Sequence, residues 1–333
     1  MIGRGRPVVL GNERGMALLI TIMIISLLVV VTLEFGKAMR QNHLAAINLK
    51  TGEQLGAIAR SGVTLAAVLL AEDGKKNTYD TLLEDWAAVD RADLSGLFNQ
   101  GRLQIKVTDL SGRLQVNSLV KSGEIGTEGR EILTRLLLSG NFAVDGEAEV
   151  RAIVDSLVDW LDVDDQESDA GAENSYYQSL SPSYSCRNAK VEFVEDILLV
   201  KGVTPALLYG ADGKKALSQF ITVYGDDGKI NLDTAELELI EAIQPLITSE
   251  LAARMDEYRR AKENSESLAA SAWYKNIPSW PGDITLNDAF ITTKSSYFSI
   301  ESIGELETQK RMVVAVVRRA QQGKITEITR KVQ

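Results

Sequence analysis

Met16 to Leu33 reads MALLITIMIISLLVVVTL, 18 residues without a charge. At about 1.5 Å per residue, such a run extends roughly 27 Å as a helix, about the minimum that crosses a hydrocarbon core. The preceding Met1–Gly15 carries Arg4, Arg6 and Arg14 against Glu13. That basic excess keeps the N-terminus cytoplasmic and places the rest of the chain beyond the inner membrane.

A secretory signal peptide predicts a small-x-small cleavage site after the apolar run. The sequence there, EFGKAMRQNHLAAINLK, has none. A glycine stands at the other end instead, Arg14–Gly15 directly before Met16. A short basic leader ending in Gly before an apolar run resembles the type IV prepilin and pseudopilin signal. That resemblance implies prepilin peptidase cleavage between Gly15 and Met16, with the helix retained on the mature protein.

The helical pattern continues beyond the apolar run. Steps of three and four residues from 35 to 70 meet eight apolar side chains at eleven positions, among them Phe35, Met39, Ala59, Val63, Ala66 and Leu70. No proline interrupts the stretch. Membrane segment and amphipathic segment therefore read as one helix of about 55 residues. Gly36, Gly52, Gly56 and Gly62 each weaken it by roughly 1 kcal/mol relative to Ala, so bends are expected.

Beyond this helix, LQIKVTD at 103–109 and 114–119 alternate around a Ser-Gly turn and read as a hairpin. Residues 127–215 turn helical, with Gly202 as a stop. Two further strands at 220–225 and 229–232 bracket an Asp226-Asp-Gly228 turn, a second hairpin signal. Asp233 or Thr234 is placed to cap the helix AELELIEAI, and another helix follows at 247–262. Three closing strands fall at 297–305, 311–319 and 325–331. This order predicts an α+β pilin-like fold, a long N-terminal helix on an antiparallel sheet with a large α-helical insertion. The expected divisions are leader 1–15, transmembrane segment 16–33, pilin-like domain 34–119 and 270–333, and inserted domain 120–269.

Composition narrows the chemistry. One cysteine, Cys186, excludes an internal disulfide and a Cys-based zinc cluster; one histidine, His43, argues against a His-pair metal site or a Ser/His/Asp triad. The net charge of −10, which loss of the leader takes to −12, makes nucleic acid an unsuitable partner. These counts favour assembly over catalysis.

The acidity is concentrated. Between Arg151 and Arg187 lie eight carboxylates and no Lys or Arg: Asp155, Asp159, Asp162, Asp164, Asp165, Glu167, Asp169 and Glu173. A solvated loop, a Ca²⁺ site and a paired-carboxylate hydrolase all fit such a stretch. Trp160, Tyr176 and Tyr177 argue that it is folded. Counted from Asp162, the third position is Asp164 and the twelfth Glu173, but Gln166 and Glu167 occupy the fifth and sixth, so any calcium loop is not an EF-hand.

Several blocks resemble the type II secretion minor pseudopilin K family. They are Gly15–Met16 ahead of the helix, DWLDVDD at 159–165, GAENSYY at 171–177, FVEDILLVKGVTPALLY at 193–209, INLDTA at 230–235 and SSYFSIES at 295–302. The resemblance implies a non-catalytic subunit at the tip of a periplasmic pseudopilus, beside minor pseudopilins I and J, serving protein export. It also implies calcium, one or two ions, held by Asp159, Asp162, Asp164, Asp165 and Glu173. Ile20 at the fifth mature position, where most of the superfamily carries a glutamate, agrees with a tip subunit. Val163 stands where the family often has proline, and the 15-residue leader is long. LLVKGVTPALL is similar to half of a helix-hairpin-helix, with Lys201, Lys214 and Lys215 nearby, and packing rather than DNA contact is the expected role. The residues alone also accommodate a membrane-tethered calcium-binding protein outside a pilus, or a tethered hydrolase.

Overall fold

A computed structural model describes residues 13–121 and 124–333. Most of the expected leader thus lies outside the described residues. The first element, α1 (Glu13–Lys76), is one helix of 64 residues, uninterrupted at its internal glycines. From Gly15 to Leu33 its apolar side chains are exposed, and Phe35, Met39, Leu44 and Leu49 remain so. It is long and apolar enough to cross a membrane, with an 18-residue window of mean hydropathy 2.9.

From Gly56 onward the chain forms a compact unit. Here α1 buries a stripe, Ile58, Ala59, Val63, Ala66 and Leu70, as its period requires. The short helix α2 (Asp85–Ala88) follows, then β1 (Arg102–Asp109). β1 alternates strictly, burying Leu103, Ile105 and Val107. These residues share one core with the α1 stripe, Trp86, Phe298, Ile300, Val313, Ala315 and Val317. Gly62 allows the close approach, since a Cβ there would stand 2.1 Å from Ser302 Oγ and 2.7 Å from Leu103 Cδ1.

After β1 the chain leaves the sheet. It passes through β2 (Leu114–Gln115), β3 (Val120–Lys121), β4 (Glu124–Ile125), α3 (Thr127–Leu138), α4 (Glu147–Leu161), α5 (Asn174–Tyr177) and α6 (Pro205–Tyr209). Then come β5 (Ile221–Thr222), β6 (Ile230–Asn231), α7 (Leu237–Ile243), α8 (Ser249–Arg260) and β7 (Ile291–Thr292). It returns as β8 (Tyr297–Leu306), β9 (Gln309–Arg319) and β10 (Ile325–Val332). The antiparallel sheet has the order β1-β8-β9-β10, with Asp109 opposite Phe298 and Leu306 opposite Gln309.

Both expected hairpins are corrected. β1 pairs with β8, while β2 pairs in parallel with β5, and β6 pairs in parallel with β7. Distant partners capture the first turn: Asn231 N–H donates to the Ser111 carbonyl at 2.8 Å, and Ser296 N–H donates to Ser111 Oγ at 3.0 Å. Asp233 and Thr234 do not cap the next helix, which begins at Leu237 after Glu236. The core of the inserted lobe also draws on residues outside 120–269. Leu114, Val116 and Leu119 at one end, and Trp273, Tyr274, Ile284 and Ile291 at the other, belong to its core.

A buried polar joint ties this lobe to the sheet. Arg319 Nη1 donates to Asp73 Oδ2 at 2.6 Å, and its Nη2 pairs with Asp80. Asn231 Nδ2 donates to the Asp80 carbonyl (3.0 Å), Asp109 Oδ2 (3.2 Å) and Ser295 Oγ (2.8 Å), while Thr234 Oγ1 donates to Asp109 Oδ2. The INLDTA block is thereby a structural joint.

Candidate cation site

The acidic segment begins on α4, whose inward face buries Val150, Ile153, Val154, Leu157, Val158 and Leu161. Asp155 and Asp159 lie one turn apart and are buried, at 1% and 0% exposure. Neither is left without partners. Asp155 pairs with Arg130 and accepts from Ala170 N–H at 3.2 Å. Asp159 accepts from Ser168 Oγ (2.5 Å), Ser168 N–H (3.1 Å to Oδ2) and Ala172 N–H (2.9 Å). Gly171 permits this wrap, because a Cβ there would lie 1.8 Å from Asp159 Oδ2. Burial still raises the Asp159 pKa, against the help of those donors. Asp159 thus anchors the loop through the donors of Ser168 and Ala172.

Asp162 terminates α4, its N–H bonded to the Val158 carbonyl at 3.0 Å. Asp162 Oδ1, both carboxylate oxygens of Glu173, and Asn188 Oδ1 are buried without a hydrogen-bond partner. Burial pushes the Asp162 carboxyl up to about 6, with Asp164 and Asp159 adding repulsion. Burial likewise pushes Glu173 up to about 7, and the charge on Asp162 adds to it. Such oxygens cost several kcal/mol to bury unless a proton or cation satisfies them. Asn188 holds a positive φ of 44°, a region Asn tolerates better than most residues, and its Nδ2 donates to the Asp164 carbonyl. Sequence reasoning missed this residue; an Asn in a turn is its only local signal.

Asp164 and Asp165 are exposed and partly engaged. Asp164 Oδ1 accepts from Gln166 N–H at 2.9 Å, and Asp165 Oδ1 accepts from Asn174 Nδ2 at 2.9 Å. The surrounding loop is ordered by aromatic packing: Trp160 meets Tyr177 edge-on at 4.9 Å, and Tyr177 lies against Tyr184 at 5.4 Å. Lys201 Nζ donates to the Gly171 carbonyl at 2.7 Å and sits over the Tyr176 ring. Lys214 is bonded to the Gly140 carbonyl and Lys215 to Glu238. All three lysines of the helix-hairpin-helix-like region therefore have partners within the chain.

The donors around Asp162, Glu173 and Asn188 are hard oxygens, which suits Ca²⁺ more than a transition metal. The residues fit a calcium ion by the test of unpartnered buried oxygens. Among the described residues, a carboxylate trio with an oxygen of each within 4.8 Å of the others lies elsewhere, at Asp73, Asp80 and Glu84. The Arg319 guanidinium already supplies its positive charge, so it is a poor cation site. Gly15 and Met16 lie within α1 and are exposed. His43 is also exposed on α1, in a different unit from the acidic loop.

A family model described as type II secretion system (T2SS), protein K, matches residues 112–226. Type II secretion system protein K of Pseudomonas aeruginosa is 25% identical over 328 residues, covering 96% of this chain and 92% of that protein. The Aeromonas hydrophila protein of that description is 26% identical, covering 96% and 97%. A crystal structure of the GspK-GspI-GspJ complex from the enterotoxigenic Escherichia coli type 2 secretion system aligns with a TM-score of 0.65 at 14% identity. That alignment covers 86% of this chain and 99% of the solved one. The family resemblance seen in the sequence blocks is borne out, as is the α+β pilin-like fold.

Proposed function

We propose, from its similarity to type II secretion system protein K across nearly its whole length, that this chain is a minor pseudopilin serving protein export. The observation that carries the reading is the combination of that full-length similarity with an exposed apolar helix running into a pilin-like sheet. In this reading α1 anchors the subunit in the inner membrane after prepilin peptidase removes the leader at Gly15–Met16. Minor pseudopilins of the I and J types are its neighbours, in keeping with the composition of the related complex. Ile20 at the fifth mature position offers no carboxylate to a subunit ahead, which supports a place at the tip. The role is structural: the large lobe is a packed body held by a polar joint, and its acidic loop offers oxygens for binding an ion.

Within that lobe, Asp162, Glu173 and Asn188 hold Ca²⁺, with the Asp164–Asp165 turn beside them. The ion supplies positive charge to oxygens that the fold leaves without donors, and so fixes the loop across the end of α4. Mass spectrometry of the native protein tests the pseudopilin reading. A mature N-terminus at Met16, methylated, is expected, and co-purification with I- and J-type pseudopilins should accompany it. An intact Met1 terminus in cells with active prepilin peptidase would overturn it. The calcium reading is separate: EDTA lowers the melting temperature and Ca²⁺ restores it, and an unchanged melting curve would count against the ion.

A further inference from the structure

The run 312–317 on β9, MVVAVV, is apolar at every position, the pattern of a strand covered on both faces. Its two faces differ. Val313, Ala315 and Val317 lie in the core shared with α1, while Val314 and Val316 point the other way and line a cavity of about 300 Å³. The inserted lobe forms the opposite wall with Phe193 and Tyr209, 40% and 53% exposed, and with Tyr224, whose ring stacks on Tyr297 at 6.0 Å. Open aromatic side chains beside an apolar wall are the composition of a binding surface. Lys331 closes one rim, held by Glu195 at 3.1 Å and lying over the Phe193 ring.

The other cation of the cavity is Arg113, half-buried between β1 and β2. Its Nη1 donates to the Ser218 carbonyl at 3.0 Å, its one hydrogen bond among the described residues. It also borders a second cavity of about 500 Å³, from which Asp109, Glu236 and Glu301 attract it. None of the three makes an ion pair with it among the described residues, and Asp109 already accepts from Ser111, Thr234 and Ser295. Burial lowers the Arg113 pKa, with those carboxylates opposing, yet a guanidinium stays protonated under such a shift; what it lacks is a contact anion. We propose that the cavity receives the C-terminus of a polypeptide with an apolar last residue, its side chain on Val314, Val316 and Tyr209 and its carboxylate forked to Arg113. Charge complementarity selects the carboxylate, which matches the planar guanidinium bidentately. The lining selects a peptide over a hydrocarbon acid. Hydroxyls of Ser218, Tyr209, Tyr224 and Thr329 stand there with no hydrogen bond among the described residues, ready for backbone amides and of no use to an alkyl tail.

The test uses the full chain in lipid nanodiscs near neutral pH and a fluorescein-labelled pentapeptide ending in leucine, read by fluorescence anisotropy. The free-acid peptide is expected to bind saturably, and its C-terminal amide roughly tenfold to a hundredfold more weakly, for want of the charge-assisted pair. Arg113→Gln should abolish that difference and hold both forms at the amide's affinity. Tyr209→Ala, on the open rim, should weaken both forms about fivefold or more and keep the difference, so a misfolded Arg113 variant still leaves a test. No saturable binding, equal affinity for acid and amide in the wild type, or a difference that survives in Arg113→Gln overturns the proposal. Unchanged affinity in Tyr209→Ala overturns it too. Displacement by octanoate at a lower concentration than by unlabelled peptide would mark a site for hydrocarbon acids, and also overturns it.

Discussion

Replacing Arg319 by Met strikes the joint between sheet and helical lobe. The Arg319 side chain is 7% exposed and bridges Asp73 and Asp80, whose side chains are 10% and 3% exposed. It also donates to the Ser295 carbonyl at 3.2 Å and stacks 4.8 Å from the Phe298 ring centroid. Met keeps much of the packing on Phe298 but leaves two buried carboxylates facing each other. Losing one partner of a buried pair costs about 3–5 kcal/mol, which corresponds to roughly 10 °C in melting temperature. Burial already pushes Asp80 up to about 6 with the guanidinium opposing it, so the carboxylate without Arg319 would take a proton readily. The loss should therefore be greatest near pH 8 and shrink below pH 6. Urea unfolding of the full chain, followed by tryptophan fluorescence, measures it, since Trp86 packs edge-on against Phe298 at 5.2 Å. The Arg319→Met/Asp80→Asn double variant should recover about 2 kcal/mol, because the amide does not carry the unpaired charge. A loss below about 1 kcal/mol at pH 8, or a double variant no better than the single one, would refute the reasoning.

Gly62→Ala places a Cβ against Ser302 and Leu103, so overpacking of about 1–3 kcal/mol outweighs the helix gain, whereas Gly36→Ala, in open space, should be neutral or stabilising in the same unfolding assay. Glu173→Gln should abolish the rise in melting temperature that Ca²⁺ gives; at a hundredfold excess over Kd the wild-type rise corresponds to about 2.7 kcal/mol. Gly171→Ala would collide with the Asp159 carboxylate and lower both melting temperature and calcium affinity, read by calorimetry. In EDTA, stability should fall as pH rises from about 4 to 8. Burial raises Asp80 to about 6, and Glu84 and Asp233 to about 8, with Asp73 repelling Glu84 and Arg259 opposing the shift at Asp233. The folded state then holds protons that the unfolded chain has lost, so the stabilising contribution of these groups is fully present below about pH 4 and lost above about 8. A melting temperature that climbs steadily over this range would contradict those raised values.

The sequence by itself determined the elements whose cause is local. An uncharged run followed by a three-and-four spacing yields α1 as one helix, and similar periods place α3, α4 and α8. Alternation places β8, β9 and β10 nearly at their observed bounds. Concentrated acidity identified the loop in which the unpartnered oxygens lie. Tertiary structure decided everything that depends on distant partners. β1 pairs with β8 across the whole inserted lobe, because a strand's edge reads only hydrogen-bonding geometry and not distance along the chain. Asp159 and Glu173 look alike in sequence, yet Ser168 and Ala172 fold onto the first, while among the described residues no backbone N–H or hydroxyl donates to the second. Asn188 gained its significance in the same way, its Oδ1 being buried without a partner. A carboxylate's role is fixed by which donors reach it after burial, and that follows from the packing of the loop over α4.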